Sequence, residues 1–321
     1  MKYVLALGLA VLIGAGALLA GCGGAAGTPA AGPGVAPLGW GVGKIVFINS
    51  GAVPSGVCWM KASGTGLSWV DKNGHDYAPV WSPDGTKVAF ERMNLGTVST
   101  EDLWVVNSTG SGLKQLTKNT SAMDACPHWS PDGTKLVFCR ESITTKGITL
   151  HLYVMPASGG TAAEIGTGTA VEYHPCYSPD GKSLVCAYHA SGGSKYQLAT
   201  MKTDGTGLKI LTTPPASSMA GDNQPEWSPN GKYIAFDRGD SSGGIGDIYR
   251  VPATGGTAQQ LTHYTGTERF CEPAWSPDSA QIVYSCRPTS STSQLWMMNT
   301  NGTGPKLFSG GTTYKSTPYW H

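Results

Sequence analysis

Pro79-Val80-Trp81-Ser82-Pro83-Asp84-Gly85 is the stretch that decides the fold, because it returns four times along the chain. The copies are Pro127-His128-Trp129-Ser130-Pro131-Asp132-Gly133, Pro175-Cys176-Tyr177-Ser178-Pro179-Asp180-Gly181, Pro225-Glu226-Trp227-Ser228-Pro229-Asn230-Gly231 and Pro273-Ala274-Trp275-Ser276-Pro277-Asp278-Ser279. Their anchor aromatics stand 48, 48, 50 and 48 residues apart. So regular a period marks a repeat architecture. A shortened copy, Pro318-Tyr319-Trp320, lies near the C-terminus.

Each copy has a mechanical reading. Proline at the second turn position carries the φ of a type I turn, and Asp and Gly complete a chain reversal between two strands. Short apolar runs follow, such as Val88-Ala89-Phe90 and Ile234-Ala235-Phe236, then third-strand candidates such as Leu103-Trp104-Val105 and Ile248-Tyr249-Arg250. Gly-rich turns lead to fourth strands such as Gln115-Leu116-Thr117. Four antiparallel strands per repeat is the unit of a propeller blade. The N-terminal segments Ile45-Val46-Phe47, Val57-Cys58-Trp59-Met60 and Leu67-Ser68-Trp69-Val70 lack a first strand, and Pro318-Tyr319-Trp320 is a first strand without the rest. The expected fold is therefore all-β: a six-bladed β-propeller of four-stranded antiparallel blades, closed by N- and C-terminal strands sharing one blade.

Composition agrees with this. The 321 residues include 45 Gly and 21 Pro, and only 13% are charged, about half the usual ~25% of a soluble domain. The formal charge is +1 and no stretch concentrates Lys or Arg, so nucleic acid is not an expected partner. Lys2 precedes an apolar run from Tyr3 to Ala20 that ends at Leu19-Ala20-Gly21-Cys22. This resembles a bacterial lipoprotein signal peptide with its lipobox, which implies cleavage before Cys22 and a lipid on that cysteine. An uncleaved membrane anchor is the other reading of the run. Either puts the rest of the chain outside the cytoplasm. The expected organisation is a signal peptide over 1–21, a lipidated Cys22 with a Gly/Ala/Pro tether over 22–42, and the propeller over 43–321.

The Pro-x-Trp-Ser-Pro-Asp-Gly repeat followed by an apolar strand resembles the repeat of TolB-type β-propellers. It is also found in the propellers of prolyl oligopeptidase-like enzymes and oligogalacturonate lyases. The resemblance covers residues 43–321 and implies the fold more strongly than any activity.

Catalytic patterns are weak. Gly239-Asp240-Ser241-Ser242-Gly243 fits G-x-S-x-G but lies in an inter-strand loop, where no nucleophile elbow forms. Arg238-Gly239-Asp240 matches an adhesion tripeptide, yet Arg92, Arg140 and Arg238 share one repeat position, eleven after the anchor, and read as strand-end arginines. The seven histidines show no metal spacing and Cys-x-x-Cys is absent, so no metal site or cofactor is expected from linear motifs. Ligands contributed by separate blades would carry no such spacing and stay open.

One column of residues stands out. Five before the anchor are Asp76, Asp124, Glu172 and Asp222, with Phe270 and Lys315 in the last two repeats. On the connections into the inner strands they would give the channel mouth a negative rim, together with His174, Gln224 and Glu272 nearby; the competing reading has each carboxylate holding its own turn. Tyr77, Tyr173, Tyr264 and Glu268 share these connections. Cysteine positions carry a second expectation. Cys126 and Cys139 stand three before and ten after an anchor, Cys271 and Cys286 four before and eleven after, so both pairs share one antiparallel register. Disulfides Cys126 to Cys139 and Cys271 to Cys286 follow, in an exported chain. The functional expectation is a non-catalytic, lipid-anchored envelope propeller. It would bind a protein, a peptide or a sugar at its channel mouth, with a bridging cation where the ligand is not itself cationic. The alternative is an extracellular metal-dependent polysaccharide lyase or hydrolase.

Overall fold

The computed structural model describes residues 43–321 apart from 52, 96–98, 145–146, 167, 169, 192, 217–220, 240–245, 264–267, 289–292 and 310–312. The signal peptide, Cys22, the tether, Tyr264 and residues 240–243 of the G-x-S-x-G segment lie outside the described residues. Among the described residues every regular element is a strand, and the strands form a β-propeller.

Four sheets hold four strands each and a fifth holds eight. Within each repeat the strands pair antiparallel in chain order, as in Val171–Tyr177, Ser183–His189, Gln197–Lys202 and Lys209–Ile210. The eight-stranded sheet contains two such sets joined by one parallel pairing of Glu101 with Met123. The first sheet draws on both ends of the chain, because Tyr314–Trp320 lies against Lys44–Ser50. Backbone bonds from Lys44 N to His321 O (2.6 Å) and from His321 N to Lys44 O (2.9 Å) continue that pairing. An edge that would otherwise be open to other chains is thereby covered.

The repeated turn explains the regular hairpins. Ser82 Oγ donates to Asp84 Oδ1 (2.6 Å) and accepts from Lys87 N (2.9 Å), while Thr86 N donates to Asp84 Oδ1 (3.0 Å). Ser130 with Asp132 and Ser178 with Asp180 repeat the arrangement. These donors hold the Asp84 and Asp132 carboxyls down at about 2, led by the serine hydroxyls. Gly85, Gly133, Gly181 and Gly231 take φ from +65° to +71°, and Ser279 takes +59° at the fifth turn.

The core sits between neighbouring sheets. Ala125, Val137, Cys139 and Leu152 of one repeat pack on Tyr177, Leu184, Cys186, Ala199 and Met201 of the next. Two anchor tryptophans lock consecutive repeats: Trp129 Nε1 donates to Val80 O (3.3 Å) and Trp275 Nε1 to Glu226 O (2.9 Å). Indole suits this position because it buries a large apolar body and still carries a donor.

A bulge interrupts every inner strand three residues before the anchor. Ala78, Cys126, His174, Gln224, Glu272 and Thr317 all take left-handed φ, between 45° and 57°, although none is glycine. The bulge moves the register by one residue. This corrects the disulfide expectation. On the turn side of the bulge His128 opposes Val137, the register assumed from sequence, but beyond it Cys139 opposes Ala125 and Cys286 opposes Phe270. Cys126, Cys139, Cys271 and Cys286 are free thiols, and Cys139 Sγ donates to Ala125 O at 3.2 Å.

Candidate binding site in the central channel

The same register shift pairs two columns that seemed unrelated in the sequence. Asp76 stands opposite Arg92, Asp124 opposite Arg140 and Asp222 opposite Arg238. Each pair is a two-pronged ion pair: Arg92 Nε and NH2 reach Asp76 at 2.6 and 3.1 Å, Arg140 reaches Asp124 at 2.6 and 2.8 Å, and Arg238 reaches Asp222 at 2.6 and 2.9 Å. Each guanidinium also covers two rings of its sheet, for Arg238 those of Phe236 and Tyr249 at 5.4 and 4.7 Å. All three aspartates are buried. They clamp the start of the inner strand to its neighbour and are neutralised there, which corrects the expectation that they give the rim its negative potential.

The remaining rim candidates differ from one another. Glu172 is buried against Gly166 and faces Tyr188 across the strand pair, a position where three other repeats carry Arg92, Arg140 and Arg238. Glu272 accepts from Ser285 Oγ (2.6 Å), Arg287 NH2 (2.5 Å) and Thr317 N (2.7 Å). The clamp of the last full repeat is thus rebuilt on the bulge residue. Glu272 N in turn donates to Gln224 Oε1 at 3.2 Å, so Gln224, Glu272 and Thr317 form a chain of contacts around the channel. His174 packs on Tyr173 with ring centroids 3.8 Å apart, and its Nδ1 has no hydrogen-bond partner among the described residues. Burial pushes the His174 imidazole down to about 3, so it stays neutral.

Other titratable carboxyls lie at this end of the channel, in the second and third strands of two repeats. Glu91 accepts from Cys126 N at 2.6 Å across the repeat boundary. Burial raises Glu91 and Glu101, and the Glu91 and Glu141 carboxylates beside Glu101 raise it further. Among the described residues none of the three forms an ion pair with Lys, Arg or His. Asp237, which holds the Glu91 position three repeats further along the chain, is likewise pushed up to about 7 by burial.

Nearer the Ser-Pro-Asp-Gly turns, the residue before each anchor forms a second level: Val80, His128, Cys176, Glu226, Ala274 and Tyr319. His128 Nε2 lies 3.3 Å from Tyr319 Oη and 3.6 Å from Glu226 Oε1. These partners belong to repeats not adjacent to that of His128, so the contacts cross the ring. Side chains thus narrow the channel at this level, while the other end is the carboxylate-lined mouth.

A family model described as the TolB beta propeller domain matches residues 57–244, more than half of the chain. The chain belongs to the TolB β-propeller family. The Tol-Pal system protein TolB of Zymomonas mobilis subsp. mobilis is 35% identical over 86 residues, which are 26% of this chain and 17% of that protein. The match to the protein of the same name from Rhizorhabdus wittichii is likewise 35% over 86 residues, 18% of its length. The alignment therefore takes in under a fifth of either relative. In structure the chain is similar to TolB from Acinetobacter baumannii, with a TM-score of 0.71 at 20% identity over 87% of this chain and 66% of that one. It is also similar to an oligogalacturonate lyase from Vibrio parahaemolyticus, with a TM-score of 0.54 at 13% identity over 79% and 70% of the two chains. At such identities the structural likeness speaks for the fold alone.

Two signals could have led from the TolB-type repeat to this site. The aspartate and arginine columns were both visible, and reading them as one pair required only the bulge. The column just before the anchor was equally accessible, but its mixed chemistry hid it.

Proposed function

We propose that this chain is a non-catalytic binding propeller of the bacterial cell envelope, held to a membrane by a lipid on Cys22, which captures a protein or peptide ligand at its channel mouth. The ring has six blades in this reading. What supports the count is that the eight-stranded sheet divides at one parallel pairing into two four-stranded sets. Membership of the TolB propeller family supports an envelope setting and a protein partner, since the sequence relatives are named as Tol-Pal system proteins. The tether and lipobox-like segment support an anchored position outside the cytoplasm.

The observation that carries the reading is the group Glu91, Glu101 and Glu141 at the mouth, raised by burial and without an ion-pair partner among the described residues. Crowded carboxyls hold protons until a positive ligand arrives, then ionise against it. A basic peptide segment or a cation-bridged sugar meets that demand. Gln224, Glu272 and His174 line the wall beside it. A lyase reading is less well served, because the likeness to the lyase structure is weaker than to TolB, with TM-scores of 0.54 and 0.71. The test is retention of envelope proteins on the immobilised chain, comparing wild type with Glu101→Gln/Glu141→Gln. Loss of a retained protein at unchanged melting temperature supports the proposal. Undiminished retention by the double variant overturns it.

A further inference from the structure

His128, Cys176 and Glu226 come from three consecutive repeats, each occupying the position just before the anchor aromatic. An imidazole nitrogen, a thiol sulfur and a carboxylate oxygen there all lie within 4.8 Å of one another. His128 Nδ1 is 3.0 Å from the Trp129 carbonyl oxygen, which requires the proton on Nδ1; the approach of Tyr177 N at 3.4 Å is the longer and weaker contact. Nε2 lies 3.6 Å from the Glu226 carboxylate and 3.3 Å from the Tyr319 hydroxyl, and a metal ion would take the place of any proton it shares with them. Once deprotonated, the imidazole nitrogen, the thiolate and the carboxylate face one shared space that a cation can occupy. Cys176 Sγ lies beside them and receives the Trp227 N–H at 3.3 Å. A backbone N–H on the sulfur and a carbonyl on the far ring nitrogen are the outer hydrogen bonds that commonly orient thiolate and imidazole ligands.

We propose that His128 Nε2, Cys176 Sγ and a Glu226 carboxylate oxygen bind a divalent transition-metal ion of the zinc class within the channel. Thiolate with imidazole selects zinc, cobalt or copper over calcium and magnesium, which prefer oxygen alone. Zinc bonds of about 2.0–2.3 Å put tetrahedral ligands roughly 3.3–3.8 Å apart, so closure of the set needs rotamer adjustments on the order of 1 Å and no backbone change. His128 and Glu226 keep 12% and 17% of their side-chain surface exposed, which provides an entry path. The ion displaces the Cys176 thiol proton to solvent, and its fourth position falls to water or to the neighbouring Tyr319 hydroxyl. This site stands whether or not the mouth binds a partner.

The experiment is a Co²⁺ titration of the purified full chain, read by the thiolate-to-cobalt charge-transfer absorption. A band saturating at one equivalent, abolished in Cys176→Ala, weakened at least tenfold in affinity in His128→Ala and retained in Cys126→Ala, is the expected result. Absence of the band in wild type, or its persistence in Cys176→Ala, overturns the proposal in favour of a simple imidazolium–carboxylate pair. Should Cys176→Ala fail to fold, mapped alkylation of the wild-type protein decides. Zn²⁺ must slow modification of Cys176 at least tenfold, and an unchanged rate refutes the site.

Discussion

Replacing Asp222 with Asn tests the clamp that organises each inner strand. The carboxylate is fully buried, the Arg238 side chain keeps 11% of its surface, and two bonds of 2.6 and 2.9 Å join them. Asparagine retains the shape and one acceptor, but its amide turns a donor toward a guanidinium that has only donors. The charge that balanced Arg238 disappears, leaving the Phe236 and Tyr249 rings as its remaining support. Removing one partner of a buried ion pair costs about 3–5 kcal/mol, and some water access to Arg238 places this case near 3. Against a typical total of about 5–15 kcal/mol, that lowers the urea midpoint visibly and the melting temperature by roughly 6 °C or more. Tryptophan fluorescence in urea measures it. Asp124→Asn acts in a separate repeat with separate partners, so the double variant should lose the sum of the two effects. The charge-free pair Asp222→Leu/Arg238→Met should recover most of the loss, because apolar replacement of a buried pair is often neutral. An unchanged midpoint in Asp222→Asn, combined with loss of a retained ligand, would refute the clamp and return Asp222 to ligand binding.

Three further outcomes follow from the fold. Trp320→Ala empties a buried site among Ile45, Phe47, Ala274 and Met297, and should cost about 3–5 kcal/mol in chemical denaturation. Asp237, raised to about 7 by burial, holds its proton more tightly in the folded chain than in the unfolded one, where a carboxyl titrates near ~3.9. Its contribution therefore falls as pH rises from about 4 to 7 and levels off above, and Asp237→Asn should flatten that part of a stability–pH curve. The seven described cysteines are buried free thiols, so a thiol reagent should react slowly with native protein and with all seven after unfolding without reductant. Peptide maps showing a Cys126–Cys139 or Cys271–Cys286 link would contradict this.

The blade pattern was legible because Ser-Pro-Asp-Gly specifies its turn through local hydrogen bonds that depend on no distant residue. The site was less legible for two physical reasons. Left-handed backbone at Cys126, His174 and Glu272 is imposed by the sheet, and no glycine announces it, so the change of register beyond the bulge left no trace in composition. The sequence register held for His128 with Val137 and failed for Cys139, on the other side of the same bulge. The level at His128, Cys176, Glu226 and Tyr319 exists only once the ring closes, since His128 and Tyr319 are 191 residues apart. Spacing along a chain carries no record of such a meeting.

Closing the first sheet with Tyr314–Trp320 also sets a timetable. Synthesis delivers Lys44–Ser50 well before its partner strand Tyr314–Trp320, so the apolar run Ile45-Val46-Phe47-Ile48 waits with one side unpaired while the intervening repeats emerge. Early strands of this kind are the ones that recruit neighbours and aggregate. The chain therefore depends, during its production, on whatever keeps that strand apart from other copies, and the seven-residue strand Tyr314–Trp320 acts as the latch that ends the hazard.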